Sequence, residues 1–286
     1  YSTQTNVPNV WVITNGGLES TLQAMALGKH LAGSKELSNT FKLKTITASE
    51  RLQLFPVVLQ KYIINCGQDA IPACFHLSNI CSNQKPFTVY VGYPGIPFIN
   101  FDQVILPKYE ANAKMAALGP LAKQKNGIIT PAPLLDLVTD THHELDRRIP
   151  ISFKQNFSVV VVGGYSPNCR WYSEDAVSLA DNIKRMITRL GDKVILIFTD
   201  RTSELVKSKM SKRLLEDDPT LNSSIFIWDS TKEQISTIDK IKLYENMIYY
   251  SKRVVLTADL DYVCTHAISK KYITELRNNE SLETNE

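Results

Sequence analysis

Two glycine turns carry the first hint of chemistry in this sequence. Asn15-Gly16-Gly17 follows the apolar run Val10–Ile13, and Gly163-Gly164-Tyr165-Ser166 follows the run Phe157–Val162. A glycine turn between a strand and a helix lets backbone N–H groups and the helix N-terminus meet an anion such as a phosphate. Neither turn is a full GxGxxG or a GxxxxGK(S/T) loop, so each reads equally as a plain tight turn.

Polar neighbours favour the anion. Thr199-Asp200-Arg201-Thr202-Ser203 places hydroxyls and a guanidinium after one apolar run, and Thr257-Ala258-Asp259 ends the last one. Gly163, Gly164, Tyr165, Ser166, Thr202, Ser203, Trp228 and Asp259 form the candidate nucleotide-binding set, with Asn15, Gly16 and Gly17 on an acceptor side. Trp228 either stacks on a base or caps a core. Asp69 is the candidate catalytic carboxylate, a general base for an acceptor hydroxyl; it reads equally as the N-cap of a helix beginning near Pro72.

Other chemistries find little support. No GxSxG elbow accompanies the histidines, which disfavours covalent hydrolysis, and His142-His143 reads as solvated. The five cysteines, Cys66, Cys74, Cys81, Cys169 and Cys264, include no CxxC pair, a pattern that suits buried free thiols in a reducing compartment. Cys74, His76 and Cys81 lack a second ligand pair at zinc-finger spacing, so no metal is assigned. With 32 Lys+Arg against 29 Asp+Glu the net charge is +3, too small a field to argue for nucleic acid or an anionic membrane. No apolar run approaches the roughly 18 to 20 residues of a membrane-spanning helix. The start at Tyr1 leaves open whether a targeting peptide was removed.

The elements that must position these residues are βα units. At 286 residues and 43% hydrophobic, the chain can bury two cores. Short β-branched runs alternate with amphipathic stretches in both halves, which predicts two parallel sheets. Strands are expected at Val10–Ile13, Tyr62–Asn65, Thr88–Val91, Gln103–Leu106 and Gly127–Thr130, then at Phe157–Val162, Val194–Phe198, Ser224–Trp228 and Val254–Leu256. Helices are expected after Gly17, from an N-cap at Ser173 to Gly191, near Ser203–Leu215, over Asp239–Tyr250 and from Asp259. A linker within Asp136–Gln155, holding Arg147-Arg148 and Pro150, divides the chain into domains 1–150 and 151–286. The tail after about Lys271 is expected to fray, leaving the second domain curtailed. The fold class is α/β, two Rossmann-like doubly wound domains facing each other across a cleft that holds the functional surface.

Val10–Gly17 with its helix, Cys66–Ala73, Phe101–Pro107, Val162-Gly163-Gly164 with Arg170-Trp171 and Glu174-Asp175, and Leu256–Asp259 together resemble the mitochondrial fission ELM1 family. Members of that family resemble GT-B glycosyltransferases. The resemblance implies a GT-B-like pair of domains, a donor pocket for a nucleotide sugar mainly on the second, and in eukaryotes a mitochondrial setting; the want of a long apolar run adds the expectation that the chain is not transmembrane. This chain departs from the family pattern at Val91–Pro94, Thr130–Pro133 and Leu260, where polar groups are missing.

Two functions follow. The first is a non-catalytic or weakly catalytic scaffold or adaptor in mitochondrial organisation, with a protein partner, a peripheral membrane association and no resident cofactor. The alternative is a glycosyltransferase that binds a nucleotide-sugar donor on the second domain, where Arg201 and helix N-termini offset leaving-group charge and Asp69 deprotonates the acceptor.

Overall fold

The computed structural model describes residues 8–33, 37–38, 41–46, 61–80, 85–112, 125–136, 145–153, 157–165, 172–217 and 219–269. The chain divides into two compact units, Tyr1–Val138 and Thr139–Glu286. The expected linker begins with a residue tied to the first unit, because the Asp136 carboxylate accepts from Lys29 Nζ at 2.6 Å. Further on, the Asp146 N–H donates to Asn246 Oδ1 in the second unit at 2.9 Å. His142 and His143 lie outside the described residues.

In the first unit six strands form one parallel sheet: β1 (Val10–Thr14), β2 (Phe41–Thr45), β3 (Tyr62–Cys66), β4 (Phe87–Val91), β5 (Gln103–Pro107) and β6 (Gly127–Thr130). Their order is β2-β1-β3-β4-β5-β6. Helix α1 (Leu18–Ala32) and helix α2 (Ile71–Ile80) cover opposite faces. Val10, Val12, Ile64 and Cys66 pack with Ala24, Ala32 and Phe41 on the α1 side; Trp11, Ile13, Ile63 and Tyr90 pack with Ile71, Cys74 and Leu77 on the α2 side. Central strands buried on both faces need continuous apolar runs, which is why β1, β3 and β4 are legible in the sequence. Strand β2 was not among the expected strands. Its Phe-Lys-Leu-Lys-Thr alternation is that of a half-covered edge strand, and five residues of alternation are a weak signal.

The second unit has four parallel strands, β7 (Phe157–Val162), β8 (Lys193–Phe198), β9 (Ile225–Asp229) and β10 (Arg253–Leu256), in the order β10-β7-β8-β9. Helices α3 (Ser173–Leu190) and α4 (Glu204–Ser211) cover one face, where Ala176, Ala180, Ile183 and Ile187 meet Val160, Val162, Leu196 and Phe198. Helix α5 (Thr237–Tyr250) then carries the chain from β9 at one edge to β10 at the other. At the amino edge, buried Asp192 accepts from Ser158 Oγ at 2.8 Å and from Arg253, with Lys252 Nζ at 3.7 Å, so one carboxylate joins the starts of β7, β8 and β10.

Three helix starts differ from expectation. The N-cap of α3 is Tyr172, not Ser173: the Tyr172 N–H donates to the Asp175 carboxylate at 2.8 Å, and Ser173 is the first helical residue. An acidic residue in the first turn can satisfy the orphan N–H of any cap residue, so a hydroxyl at the boundary is not required. Helix α5 starts two residues before Asp239, because Ser236 is the cap and its Oγ accepts from the Asp239 N–H at 3.2 Å. The last helix, α6, covers 261–269, and Asp259 stands in the turn ahead of it rather than at its start. The helix at Ser203 does begin with that cap; its end is a π turn over Lys212–Glu216. Among the described residues no helix is long and apolar enough to cross a membrane.

Candidate functional site

In an open parallel sheet a ligand crevice forms at the carboxyl edge where strand order reverses, because the loops on either side lead away in opposite directions. The orders above put that point between β7 and β10 in the second unit, and between β1 and β3 in the first. The glycine turns singled out from sequence end β7 and β1, so both sit at switch points.

In the second unit the switch point is filled by the protein's own carboxylate. Asp259, with a side chain 0% exposed, accepts from the Gly164 N–H at 2.8 Å, from Thr257 Oγ1 at 2.6 Å and from an Arg201 guanidinium nitrogen at 2.9 Å. The same guanidinium nitrogen donates to the Asp259 carbonyl oxygen at 2.9 Å, and the Gly163 N–H donates to Thr257 Oγ1 at 2.9 Å. Thr202 Oγ1 and Thr199 Oγ1 donate to the Val162 carbonyl at 2.6 and 3.1 Å, which ties the end of β8 to the end of β7. A Cβ at Gly163 would overlap the Asp259 carboxylate, so glycine there is a requirement of this close approach.

The first unit repeats the arrangement with a neutral side chain. Asn15 lies over Gly67 at the end of β3, where a Cβ would overlap its amide, and Gly67 also has φ +79°. Asn15 Oδ1 accepts from the Gly17 N–H at 3.2 Å, and Thr14 Oγ1 from the Gly16 N–H at 3.0 Å. At both switch points, then, the glycine N–H groups donate within the protein to an acceptor no further away than the neighbouring strand end.

A model of the family described as mitochondrial fission ELM1 matches residues 13–268. The chain belongs to the mitochondrial fission ELM1 family. The uncharacterised protein RP120 of Rickettsia prowazekii (strain Madrid E) is 21% identical over 299 residues, which cover 91% of this chain and 80% of that protein. Among solved structures, a putative UDP-N-acetylglucosamine 2-epimerase from Listeria monocytogenes is 12% identical with a TM-score of 0.45, over 88% of this chain and 74% of its own. MnaA of S. aureus, solved with UDP, is 11% identical with a TM-score of 0.46, over 88% and 75%.

The match to the ELM1 family spans both switch points, but the candidate nucleotide-binding set does not converge on one pocket. Gly163, Gly164 and Asp259 bond to one another; Thr202 braces the β7 end, and Ser203 caps α4, its Oγ accepting from Val206 N–H at 3.4 Å. Tyr165 projects into solvent at 70% exposure, and Ser166 lies outside the described residues. Trp228 is 1% exposed, a core position that leaves no ring face for a base. Thr199 and Thr257 are the hydroxyls absent from the candidate set, and their one sequence signal is a threonine immediately after an apolar strand. Asp69 is exposed in the turn Gln68–Ala70 between β3 and α2, and the residue ahead of that turn is Gly67. Burial pushes the Cys66 thiol up to about 11 and, with a contribution from Asp102, Cys74 up to about 12, which keeps both protonated and unreactive at neutral pH.

Asn65 is the polar residue that sequence reasoning passed over. It is 0% exposed in β3, between Ile13 and Tyr90 of the neighbouring strands, and neither its Oδ1 nor its Nδ2 has a hydrogen-bond partner among the described residues. A buried amide left unsatisfied costs about 1–3 kcal/mol. Asn65→Leu, which has the same branched arrangement of heavy atoms, is expected to raise the urea midpoint, gaining about 1 kcal/mol with an unchanged slope. A loss of stability would count against an unsatisfied amide, assigning the site either to an internal water or to a space too small for two methyl groups.

Proposed function

We propose that this ELM1-family chain acts as a non-catalytic or weakly catalytic scaffold rather than as a glycosyltransferase. One observation carries the reading: the donors a nucleotide diphosphate needs at the β7–β10 switch point, Gly164 N–H and Arg201, are engaged by Asp259, and the Gly163 N–H by Thr257. A phosphate entering there meets a buried negative charge where it needs free donors. A scaffold gains from the same arrangement, because three loops are fixed to one another before any partner arrives. The family's name supports mitochondrial fission as the process and a mitochondrial setting; the bacterial relative carries no location to this chain.

The test is a thermal-shift series with UDP, GDP and CMP sugars. A ligand at 100 times its dissociation constant stabilises by about 2.7 kcal/mol, a clear rise in melting temperature. No rise is expected with any of them. A rise with one nucleotide sugar, lost in Arg201→Ala, would overturn the scaffold reading in favour of the transferase, with Asp69 as the base to be examined next.

A further inference from the structure

The outer edge of β2 is built to accept another strand. Parallel strands bond to a neighbour through alternate residues. The Ile46 N–H donates to the Thr14 carbonyl of β1 at 2.7 Å, so Lys44 and Lys42 also bond inward, and Phe41, Leu43 and Thr45 turn their N–H and C=O groups outward. The outward groups of Phe41 are already used as a rung: the Ser38 N–H donates to the Phe41 carbonyl at 2.9 Å, and the Phe41 N–H donates to Ser38 Oγ at 3.2 Å. Ser38 thus sits where the first residue of an added strand would sit. Among the described residues Leu43 is not paired outward, and no strand lies outside β2.

Beyond that rung runs a groove of about 540 Å³, lined by Leu37, Ser38, Phe41, Lys42, Leu43 and Lys44. Its two sides differ in chemistry. Phe41, Leu43 and Leu37 belong to the apolar layer under α1, and Lys42 and Lys44 stand together on the opposite face of the strand. A chain laid along this edge would place its own alternate side chains beside Leu37 and Leu43 on one face and beside the two ammonium groups on the other.

We infer that the outer edge of β2 docks an extended segment of a partner protein in which acidic and apolar residues alternate. The main-chain bonds come from Leu43, and the two lysines select the charge. Lysines on an edge strand also serve simply to deter pairing between sheets. That role does not call for an apolar wall beside the unpaired rung, and it makes the opposite prediction for an acidic strand. The inference rests on the scaffold reading only in taking the occupant to be a protein segment; nucleotide binding in the second unit would overturn that reading and leave this one standing.

The test uses the full chain and a fluorescent Thr-Glu-Val-Glu-Val-Glu-Thr peptide, followed by anisotropy at low salt. Saturable binding is expected, weakened about tenfold or more in Lys42→Glu/Lys44→Glu and restored when that variant meets the Lys-for-Glu peptide. Leu43→Pro removes an outward N–H without breaking the β1–β2 ladder, so it is expected to weaken binding of the acidic peptide as well. A peptide N-methylated along one edge should not bind. Absence of binding at millimolar peptide, binding indifferent to both lysines, or a concentration-dependent dimer abolished by Lys42→Glu/Lys44→Glu would each overturn the inference. If Leu43→Pro does not fold, the charge-reversal rescue decides alone.

Discussion

Asp259→Ala is expected to lower the unfolding free energy by about 3 kcal/mol, read as a fall in the urea midpoint without a change in slope. The substitution leaves the Gly164 N–H and the Thr257 O–H without their acceptor and leaves the Arg201 nitrogen with the residue-259 carbonyl but not the carboxylate. Breaking a buried pair from one side costs about 3–5 kcal/mol because the surviving partner stays desolvated. Arg201 is 35% exposed, so water recovers part of its solvation and the low end of that range applies. Asp259→Asn keeps the shape, and its single oxygen can still accept from Gly164 and Arg201 while the amide nitrogen faces the Thr257 hydroxyl, so its loss is expected to be roughly half as large.

A double-mutant cycle separates this network from general packing. Gly163→Ala in the wild-type background drives a methyl group into the Asp259 carboxylate and should be severely destabilising. In the Asp259→Ala background that oxygen is gone, and the added methyl has room. The two losses are therefore expected to be strongly non-additive, with a coupling of about 1–3 kcal/mol. Additive losses would show that Gly163 is needed for the backbone turn alone, and that the carboxylate is incidental to it.

The reach of sequence reasoning follows from which partners are near in the chain. The Phe157–Val162 strand is legible because Phe157 and the four consecutive valines Val159–Val162 can be buried on both faces only inside a parallel sheet. Ser203 is legible as a cap because the N–H it accepts from is three residues ahead. Asp259 was legible as a polar residue at a strand end, but its acceptor role was not. Its partner Gly164 is 95 residues away, and only the strand order brings the ends of β7 and β10 together. The same glycines that permit a phosphate site also permit a side chain to occupy it, so the motif is silent on which of the two is present. Asn65 was hidden for a simpler reason: one polar residue does not break an apolar run long enough to read as a strand. Trp228 read two ways from sequence because a strand-end tryptophan follows the same pattern whether it faces solvent or the core, and the structure places it in the core.

The second large effect is expected at Lys207, whose ammonium is buried in the second unit. It donates to the Asp229 carboxylate at 3.0 Å, to Thr231 Oγ1 at 2.9 Å and to Glu204 Oε1 at 2.9 Å, which uses all three of its hydrogens. Burial pushes the Asp229 carboxyl up, yet the Thr231 hydrogen bonds and the Lys207 ammonium hold it below the usual carboxylate range. A depressed folded value means that Asp229 contributes stability above its unfolded value, near 3.8, and that this is lost as pH falls through the folded value. Lys207→Met keeps most of the buried stem but removes the charge, leaving Asp229 desolvated with Thr231 as its remaining hydrogen-bond donor and the exposed Lys232 ammonium, 3.7 Å away, as its remaining cation. The expected loss at pH 7 is about 3 kcal/mol. It is expected to shrink below about pH 4, where the variant's Asp229 is neutral and no longer pays for burial, while the wild type is losing its own ionic contribution. Urea unfolding of both proteins at neutral and acidic pH measures the difference directly. A loss of equal size at both would assign the effect to the packing of the Lys207 stem, and would take the ion pair out of the account of how β9 is held to α4.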